Sequence, residues 1–429
     1  MSTQPTRLTQ GEQEQAQERY TSLMGMLFNE AGLMESFHRQ PRNKAVGVDG
    51  ISKAQYEMNV TARLADLSAR LRRMGYRPQP ARRTYIPKAN GGQRPLGIPS
   101  FEDRIVQDRL SRILQKIWEP EFCECSYGFR PERNAHQALS RLAHIIEQER
   151  TQWVVEADIK GFFDHVHHEH LMRFIEHRIG DWNLLRIIRR FLKAGVLEDG
   201  AFYASQEGTP QGGLVSPVLA NIYLHYALDL WFEKRFALGC KGKAFLVRYA
   251  DDFVGCFEYE EDARAFEQAL KERLGQFALE VEPTKTALIR FGDLAPALCK
   301  REGDGRPRTF NFLGFTHYIA VKGGRAKLGR KTQRERVRKS LKALGARLKV
   351  LRVQGVRAMQ EHVLAHLRGH LQYFGVTGNS RGVRTYAFHV ERLLYKWMNR
   401  RSQRRSFPWP DYRAWLRCWF PRPRLVHAL

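Results

Sequence analysis

The sequence predicts an α+β fold in two parts: a region of mixed helices and strands over residues 1–325, and an α-helical region over residues 326–429. Two observations predict the first part. Short apolar strands end at acidic residues, and amphipathic helices separate those strands. A third observation predicts the second part, since from Lys331 onward the apolar spacing is helical and the charge is strongly basic.

Each element follows from a local pattern. Residues 1 to about 75 are predicted to be helical, with Leu64, Leu67 and Leu71 at helical spacing. Two extended segments within residues 82–98 flank the turn Asn90-Gly91-Gly92 and so predict a hairpin. Further helices are predicted at 101–118, 134–149, 167–178, 182–193, 216–236 and 260–275, strands at 153–159, 245–248, 253–257 and 311–315, and loops at 208–213 and 299–308.

The charge is unevenly distributed along the chain. The 429 residues carry a net charge of +26, and residues 331–429 hold 23 Lys and Arg against only 4 Asp and Glu. This balance favours a polyanionic partner, nucleic acid first and an anionic membrane second, although a solvated basic helical surface is the plainer interpretation. No apolar run approaches the roughly 20 residues that span a bilayer, and no signal-peptide pattern precedes the helices. We therefore expect a soluble cytoplasmic protein with no membrane partner.

Cysteine and histidine usage does not predict a structural metal site. The six cysteines include no Cys-x-x-Cys pair, which favours free thiols in a reducing compartment. Residues 164–170 are rich in His, but successive helical residues cannot all face one ion, so a solvated helix start is the preferred interpretation.

Three acids are placed for phosphoryl-transfer chemistry. Asp158 ends one predicted strand, and Asp251 and Asp252 lie between two others, so the three carboxylates are expected to converge at one edge of a sheet. Carboxylates in this arrangement can hold two Mg²⁺ ions about 4 Å apart and stabilise both oxygens of an in-line displacement. An Asp-Asp pair alone is more often a turn; the acid at a separate strand end makes the pattern more specific.

Nearby residues could bind a nucleotide. Lys88 and Arg94 flank the predicted hairpin turn and could present two cations to a triphosphate, or they could be ordinary surface charges. Phe162 and Phe163 follow Asp158, where an aromatic ring could pack beneath a sugar or belong to the core. The Pro-Gln-Gly-Gly loop of residues 210–213 allows close backbone approach, although such a sequence is usually just a turn.

An ordered set of sequence blocks resembles bacterial group II intron reverse transcriptases over nearly the whole chain. The blocks are NKAVGVDG at 43–50, YIPK at 85–88, RPLGIP at 94–99, YGFRP at 127–131, DIKGFFD at 158–164, GTPQGG at 208–213, YADD at 249–252 and NFLGF at 311–315. The resemblance implies a right-hand polymerase with fingers and palm, including an antiparallel sheet, over residues 1–325 and an α-helical thumb, or maturase (X) domain, over residues 326–429.

The resemblance also implies roles for single residues. Asp158, Asp251 and Asp252 would be the catalytic metal-site carboxylates, with Asp158 and Asp251 as the more direct ligands, and the Ile159 carbonyl would touch a metal. Asp164 belongs to the block but would not be a ligand. The residues implied to bind the dNTP are Lys88, Arg94, Ile159, Phe163 as a steric gate against ribonucleotides, and Gln211. The implied cofactor is two Mg²⁺ ions, with Mn²⁺ as a possible substitute.

The basic C-terminal region resembles the maturase domain of the same family. Its arginines Arg400, Arg401, Arg404 and Arg405 are the predicted RNA contacts. At least half of the interleaved aromatics are expected to pack in the helical core rather than on bases: Tyr373, Phe374, Trp397, Trp409, Trp415 and Trp419.

The implied function is that of an RNA-directed DNA polymerase that binds its intron RNA, assists splicing and copies RNA into cDNA for retrohoming. Its expected partners are the intron RNA, an RNA template–DNA primer duplex and dNTPs, in a ribonucleoprotein associated with the bacterial nucleoid. No endonuclease block follows the maturase region, so the sequence resembles the endonuclease-lacking class. The alternative is a domesticated relative that acts in DNA repair or phage defence.

Overall fold

The computed structural model describes residues 19–87, 92–209, 212–322, 325–400 and 407–428. Four short helices begin the described chain: α1 Met24–Phe28, α2 Glu30–Arg39, α3 Lys53–Glu57 and α4 Val60–Arg72. Leu64, Leu67 and Leu71 are buried as their helical spacing predicts. Residues 41–52, however, are not helical, so the predicted N-terminal helical region is interrupted.

The predicted hairpin forms the first sheet. Strands β1 Ala81–Pro87 and β2 Gln93–Ile98 pair antiparallel, with Ile86 opposite Arg94, while the turn residues 88–91 lie outside the described part of the chain. Two three-residue strands that the sequence did not predict, β4 Val196–Glu198 and β5 Ala201–Tyr203, extend this sheet in the order β2-β1-β4-β5. The β1–β4 contact is parallel and spans only two residue pairs.

A second sheet forms the centre of the molecule. Strands β3 Trp153–Asp158, β6 Ala244–Tyr249, β7 Asp252–Phe257 and β8 Ala287–Arg290 pair antiparallel in the order β6-β7-β3-β8. The helices of this region are α5 Phe101–Trp118, α6 Ala135–Gln148, α7 His168–Glu176, α8 Trp182–Leu192, α9 Ser216–Leu224 and α10 Glu260–Gly275. Beyond α9 the chain continues in π-helical turns to Phe236. Apolar side chains from the helices and from one face of the sheet share a large core.

A third sheet joins the mixed region to the helical region. Strand β9 Phe310–Phe312 and strand β11 Arg325–Thr332 flank β10 Phe315–Lys322, and all contacts are antiparallel. Helices α12 Arg334–Leu351, α13 Val356–Phe374, α14 Ser380–Met398 and α15 Trp409–Arg417 follow and enclose a separate core. The helical region thus begins at Arg334, and the predicted boundary at 325–330 falls inside β11.

Two further local predictions were wrong. The predicted loop at 299–308 begins within a helix, α11 Ala295–Glu302, which ends at Gly303. The predicted single strand at 311–315 is split by a turn, since Leu313 and Gly314 both have positive φ. Among the described residues, no helix is long and apolar enough to cross a membrane.

Candidate active site

The central sheet brings the three candidate aspartates to one edge. Strands β3 and β7 pair in a register that sets Asp158 directly opposite Asp252, so their Cα atoms are about 4.5–5.5 Å apart. Asp251 lies in the tight turn between β6 and β7, next to Asp252 in the chain. Residues separated by about 90 positions in the sequence therefore present their carboxylates together.

A buried network fixes the turn that carries Asp251. The Arg248 side chain is fully buried and donates to both carboxylate oxygens of Asp229, at 2.7 and 2.5 Å. It also donates to the Ala250 carbonyl at 2.9 Å and to Ser126 Oγ at 2.8 Å. Ala250 itself has φ +59°, a conformation that costs energy for a residue with a Cβ. The guanidinium thus holds the turn in a shape that the local sequence does not favour.

The Tyr-Gly-Phe-Arg block of residues 127–130 packs behind the same turn. A Cβ on Gly128 would overlap the Ala250 amide nitrogen, so only glycine permits this approach. The Asn221 amide donates to the Gly128 carbonyl at 2.7 Å and accepts from Arg248 at 3.2 Å. Two sequence blocks that are distant along the chain therefore meet at the aspartate turn.

The carboxylates at this edge interact electrostatically. Burial, followed by the charge of Asp158, raises the pKa of Asp252 to about 7. Burial also raises the pKa of Asp251. The charge of Asp158 raises it further, whereas the charge of Arg94 lowers it. Burial raises the pKa of Glu156 to about 7, and Asp158 contributes there too. The crowded negative charge can be relieved by a cation.

Lys285 supplies one positive charge at the site. Its ammonium pairs with the carboxylate of Asp158, and this hydrogen bond raises the pKa of Lys285. Lys285 does not stand out in the sequence, because it precedes β8, a strand that was not predicted. Glu156 was missed as well, although it lies two residues before Asp158 and so shares its face of the strand.

The remaining carboxylate contacts come from the third sheet and the helical region. The Leu313 amide donates to Asp252 Oδ2 at 3.5 Å. The Tyr373 hydroxyl in α13 in turn donates to the Leu313 carbonyl at 3.0 Å. Asp252 is therefore more enclosed than Asp158 or Asp251.

Some of the candidate nucleotide-binding residues lie at this site. Arg94 is exposed on β2 and close enough for its charge to act on Asp251. Phe163 is half-buried in the 3₁₀ turn after β3, where its ring packs edge-on against Phe162. Ile159 is buried and bridges to Val281. Lys88 and Gln211 lie outside the described residues.

The loop around residues 208–213 connects these positions. The Thr209 amide donates to the Phe163 carbonyl at 2.8 Å. Gly212 has φ +110°, and a Cβ there would come within 2.6 Å of the Gly97 carbonyl in β2. Thr209 therefore lies against the chain after β3, and Gly212 lies against the hairpin sheet.

The donor set suits Mg²⁺ bound together with a substrate. Among the described residues, no group of three or more His, Cys, Asp or Glu side chains has the arrangement of a complete metal site. Magnesium, however, commonly takes one or two protein carboxylates and completes its shell with water and substrate phosphates. Asp158, Asp251 and the Ile159 carbonyl would provide hard oxygen donors of this kind, and the charge of Asp158 adds to burial in raising the pKa values of Asp251 and Asp252.

The histidine-rich segment behaves as a helix start. Helix α7 begins at His168, whose Nε2 lies 2.7 Å from the Gly208 carbonyl. His165 Nδ1 lies 3.2 Å from Glu207 Oε1. These contacts link the segment to Glu207 and Gly208.

Of the candidate RNA-binding arginines, only Arg400 lies within the described residues. Its guanidinium carbon is 5.8 Å from the Trp397 ring centre, and its carbonyl accepts from Arg352. Arg401, Arg404 and Arg405 lie outside the described residues. The six interleaved aromatics all pack against an apolar core: Tyr373, Phe374, Trp397, Trp409, Trp415 and Trp419.

Comparison with known proteins identifies the family. Residues 86–317, more than half of the chain, match the family "Reverse transcriptase (RNA-dependent DNA polymerase)". Protein YkfC of Escherichia coli (strain K12) is 41% identical over 237 residues, which are 48% of this chain and 62% of that protein. Group II intron-encoded protein LtrA of Lactococcus lactis subsp. cremoris is 38% identical over 220 residues, 51% of this chain and 36% of LtrA.

A third relative comes from a eukaryote. The uncharacterized 91 kDa protein in the cob intron of Schizosaccharomyces pombe is 43% identical over 154 residues, 36% of this chain and 19% of that protein. The chain spans less than two thirds of each of these three relatives. The resemblance to group II intron-encoded proteins is confirmed by these similarities. Because the family match covers the strands that carry all three aspartates, the chain belongs to the reverse transcriptase (RNA-dependent DNA polymerase) family.

Proposed function

We propose that this protein is an RNA-directed DNA polymerase that uses Asp158, Asp251 and Asp252 to bind two Mg²⁺ ions, for which Mn²⁺ can substitute. The observation that carries the proposal is the register of β3 and β7, which sets Asp158 opposite Asp252 beside the Asp251 turn. Members of the family use divalent metal ions. When bound, the ions would activate the primer 3′-hydroxyl and offset charge at the α-phosphate as pyrophosphate leaves.

The protein's own residues would orient the substrates. Asp158, Asp251 and the Ile159 carbonyl hold the metal-bound triphosphate, and the enclosed Asp252 contributes more weakly. Arg94, together with Lys88, grips the triphosphate as a cation pair. Gln211 and Phe163 contact the incoming nucleotide, with the Phe163 ring excluding a 2′-hydroxyl. Support for this part comes from Arg94, whose charge acts on Asp251, and from the Thr209–Phe163 backbone contact.

The partners we propose are an RNA template–DNA primer duplex, dNTPs and an intron RNA. We propose that the protein acts in the bacterial cytoplasm, in a ribonucleoprotein associated with the nucleoid. In this arrangement, residues 1–325 supply fingers and palm, and residues 326–429 supply the thumb or maturase domain. The similarity to LtrA, whose name records a group II intron, supports this choice. The three relatives cited above carry no name that points to DNA repair or phage defence.

The decisive test is Asp251→Ala in primer extension on an RNA template. Loss of a metal-binding carboxylate removes several kcal/mol of transition-state stabilisation, so the extension rate is expected to fall by at least about 100-fold. Binding of Mn²⁺, measured by calorimetry with dNTP present, should weaken in parallel. RNA affinity should remain close to that of the unaltered protein.

The matched control is Asp304→Ala, which removes an exposed acid outside the aspartate edge. This variant should extend primers normally. Full extension activity by Asp251→Ala would refute the assignment of the metal site.

A second proposed role, assistance of intron splicing as a maturase, can be tested with the same protein. The excess of basic residues beyond Lys331 favours this role. Because splicing assistance needs binding and not polymerisation, Asp251→Ala should still accelerate splicing of its intron RNA at low Mg²⁺. Absence of acceleration by both this variant and the unaltered protein would reject the maturase role for that RNA.

A further inference from the structure

A basic groove lies where the third sheet meets the helical region. It has a volume of about 1150 Å³ and lies between hairpin β10–β11, the 305–309 segment and one face each of α12 and α14. Six cations line it: Arg306, Arg330, Lys331, Arg334, Arg338 and Arg381. None of its described lining residues is acidic. We call this feature the rear groove.

Five exposed cations of the rear groove lack an ion-pair partner among the described residues. Arg306, Lys331, Arg334, Arg338 and Arg381 are all exposed. Within the described part of the chain, none of these five forms an ion pair with a carboxylate. Elsewhere, exposed arginines on helices do pair, as Arg357 does with Glu361 at 3.0 Å. The groove therefore concentrates positive charge that the fold itself does not neutralise.

Arg330 adds a buried cation to the same groove. It is 3% exposed, and it donates to the carbonyls of Thr377 and Leu139, both at 3.2 Å. Its Nε has no hydrogen-bond partner, and no carboxylate pairs with it among the described residues. Burial lowers the pKa of Arg330 to about 10, and the charge of Glu147 acts in the opposite direction. A buried charge that is only partly offset in this way is costly. An anion entering the groove would lower that cost.

The rear groove faces away from the aspartate edge. Arg336 in α12 lies over Gly314, where an added Cβ would come within 2.9 Å of the Arg336 Nε, and the neighbouring Leu313 amide contacts Asp252. Successive helical residues are about 100° apart, so Arg334 and Arg338 project roughly opposite to Arg336. A ligand in the groove would therefore leave the active-site face of α12 free.

Aromatic rings accompany the charges. Tyr318 is half-buried in β10, with Lys331 Nζ 5.9 Å from its ring centre, and His389 is exposed on the groove face of α14. Guanidinium groups bind phosphate oxygens, and aromatic faces stack on unpaired bases.

We propose that the rear groove is a second RNA-binding site, which holds a sugar–phosphate strand of a folded RNA while the template–primer duplex occupies the aspartate cleft. The preference for a polyanion follows from the groove alone, whereas the choice of RNA rests on the proposed function. Such a site would anchor the RNA partner independently of the stretch being copied.

The test combines Arg334→Gln, Arg338→Gln and Arg381→Gln in the full-length protein. These side chains are exposed and, among the described residues, form no hydrogen bond or ion pair within the protein, so the fold should be retained. With tRNA as the folded-RNA probe, loss of three phosphate contacts should weaken binding by about tenfold or more at physiological salt. The slope of log K against log salt should become shallower by about 2 to 3. Primer extension on a short RNA template should be unchanged.

The matched control removes three exposed cations of the same helical region that do not line the groove: Lys349→Gln, Arg357→Gln and Arg384→Gln. Equal loss of tRNA binding in both triple variants would overturn the proposal, because net charge alone would explain it. A parallel loss of primer extension would overturn it too, since the groove would then belong to the template path. Loss of binding to phosphatidylserine vesicles with tRNA binding intact would assign the groove to a membrane instead.

These outcomes separate the groove from the proposed polymerase function. If the unaltered protein extended no primer, the polymerase proposal would fail while the tRNA comparison still decided the groove. If extension were normal and tRNA binding were equal in all three proteins, only the groove proposal would fail.

Discussion

At the scale of single residues, the three aspartates differ in their surroundings. Asp158 is paired with Lys285, Asp251 lies in a tight turn, and Asp252 accepts a hydrogen bond from the Leu313 amide. Burial acts most strongly on Asp252, whose pKa it raises to about 7. A more enclosed carboxylate is less available to an incoming ion, so we expect Asp158 and Asp251 to be the more direct ligands.

Phe163 offers a prediction about sugar selectivity. If its half-buried ring packs beneath the deoxyribose, Phe163→Val should open space for a 2′-hydroxyl. The ratio of kcat/KM for a dNTP to that for the matching rNTP should then fall by roughly 10–100-fold. Single-nucleotide insertion opposite a defined template base measures this ratio.

The neighbouring Phe162 serves as the control. It is buried in the main core at 1% exposure, so Phe162→Val should lower the thermal stability, by the few kcal/mol typical of core truncation, without changing sugar selectivity. Unchanged selectivity in Phe163→Val would remove Phe163 from the nucleotide site.

The convergence of the three aspartates at one sheet edge could be predicted because the sequence alone marks their positions. Asp158, Asp251 and Asp252 could be found because short apolar segments that border them reveal the strand ends. Glu156 was missed although it shares a strand face with Asp158, whereas the proximity of Lys285 depends on how β3 pairs with β8. Strand pairing is a tertiary property that a local pattern does not encode.

At the scale of elements, the aspartate turn depends on more than its two strands. The chain beyond α9 supplies Asp229, the 126–128 segment supplies Ser126, and both converge on Arg248. Arg248, held in place by these contacts, fixes the turn by donating a hydrogen bond to the Ala250 carbonyl. Two elements that carry none of the three aspartates therefore help to determine where Asp251 lies.

A double substitution can separate positioning from stability. Asp229→Asn leaves a buried guanidinium uncompensated and should lower the free energy of unfolding by about 3–5 kcal/mol. Arg248→Met combined with Asp229→Leu replaces the ion pair with apolar groups and should restore most of that stability. Primer extension should nevertheless remain reduced, by about 100-fold, because the turn has lost its donor to Ala250. Chemical denaturation and extension rates provide the two readouts.

The control for the buried Arg248–Asp229 ion pair is an exposed ion pair. Arg264 and Glu260 form an ion pair at 2.6 Å on the surface of α10, and replacing both with Ala should alter stability by less than about 1 kcal/mol. If the Arg248–Asp229 double variant recovered both stability and full activity, Arg248 would have only a structural role.

Helices and strands were predicted correctly where the local sequence pattern was strong. Helices 101–118 and 260–275 were predicted to the residue, since their apolar period is long and their first turns are capped or acidic. The three-residue strands β4 and β5 were missed, because a segment that short has no readable period and exists only through its pairing with β1. Helix α11 was missed because Gly and Arg of the following loop obscured a short helix.

At the scale of the whole molecule, the junction between the mixed and helical regions is a sheet rather than a linker. Strand β11 pairs with β10 over eight residues, and its Leu328 is buried in the core that contains Val154 and Phe310. From the helical region, Tyr373 in α13 stacks on Phe315 of β10, with ring centres 6.1 Å apart. A composition shift marked the change in charge, but the structural change to helix comes later, at Arg334.

The position of this junction can be tested with two fragments that differ by one strand. A fragment of residues 1–325 lacks nearly all of β11, whereas one of residues 1–333 retains it. The shorter fragment loses burial of Leu328, worth about 1.5–3 kcal/mol, and exposes the edge of β10 to association. It should therefore unfold at a lower temperature and aggregate more readily, as thermal melts and light scattering would reveal. Both fragments lack the helical region, so its absence cancels in the comparison. Equal melting temperatures and equal solubility would mean that β11 belongs energetically to the helices that follow it, and that the boundary at 325 is the physical one.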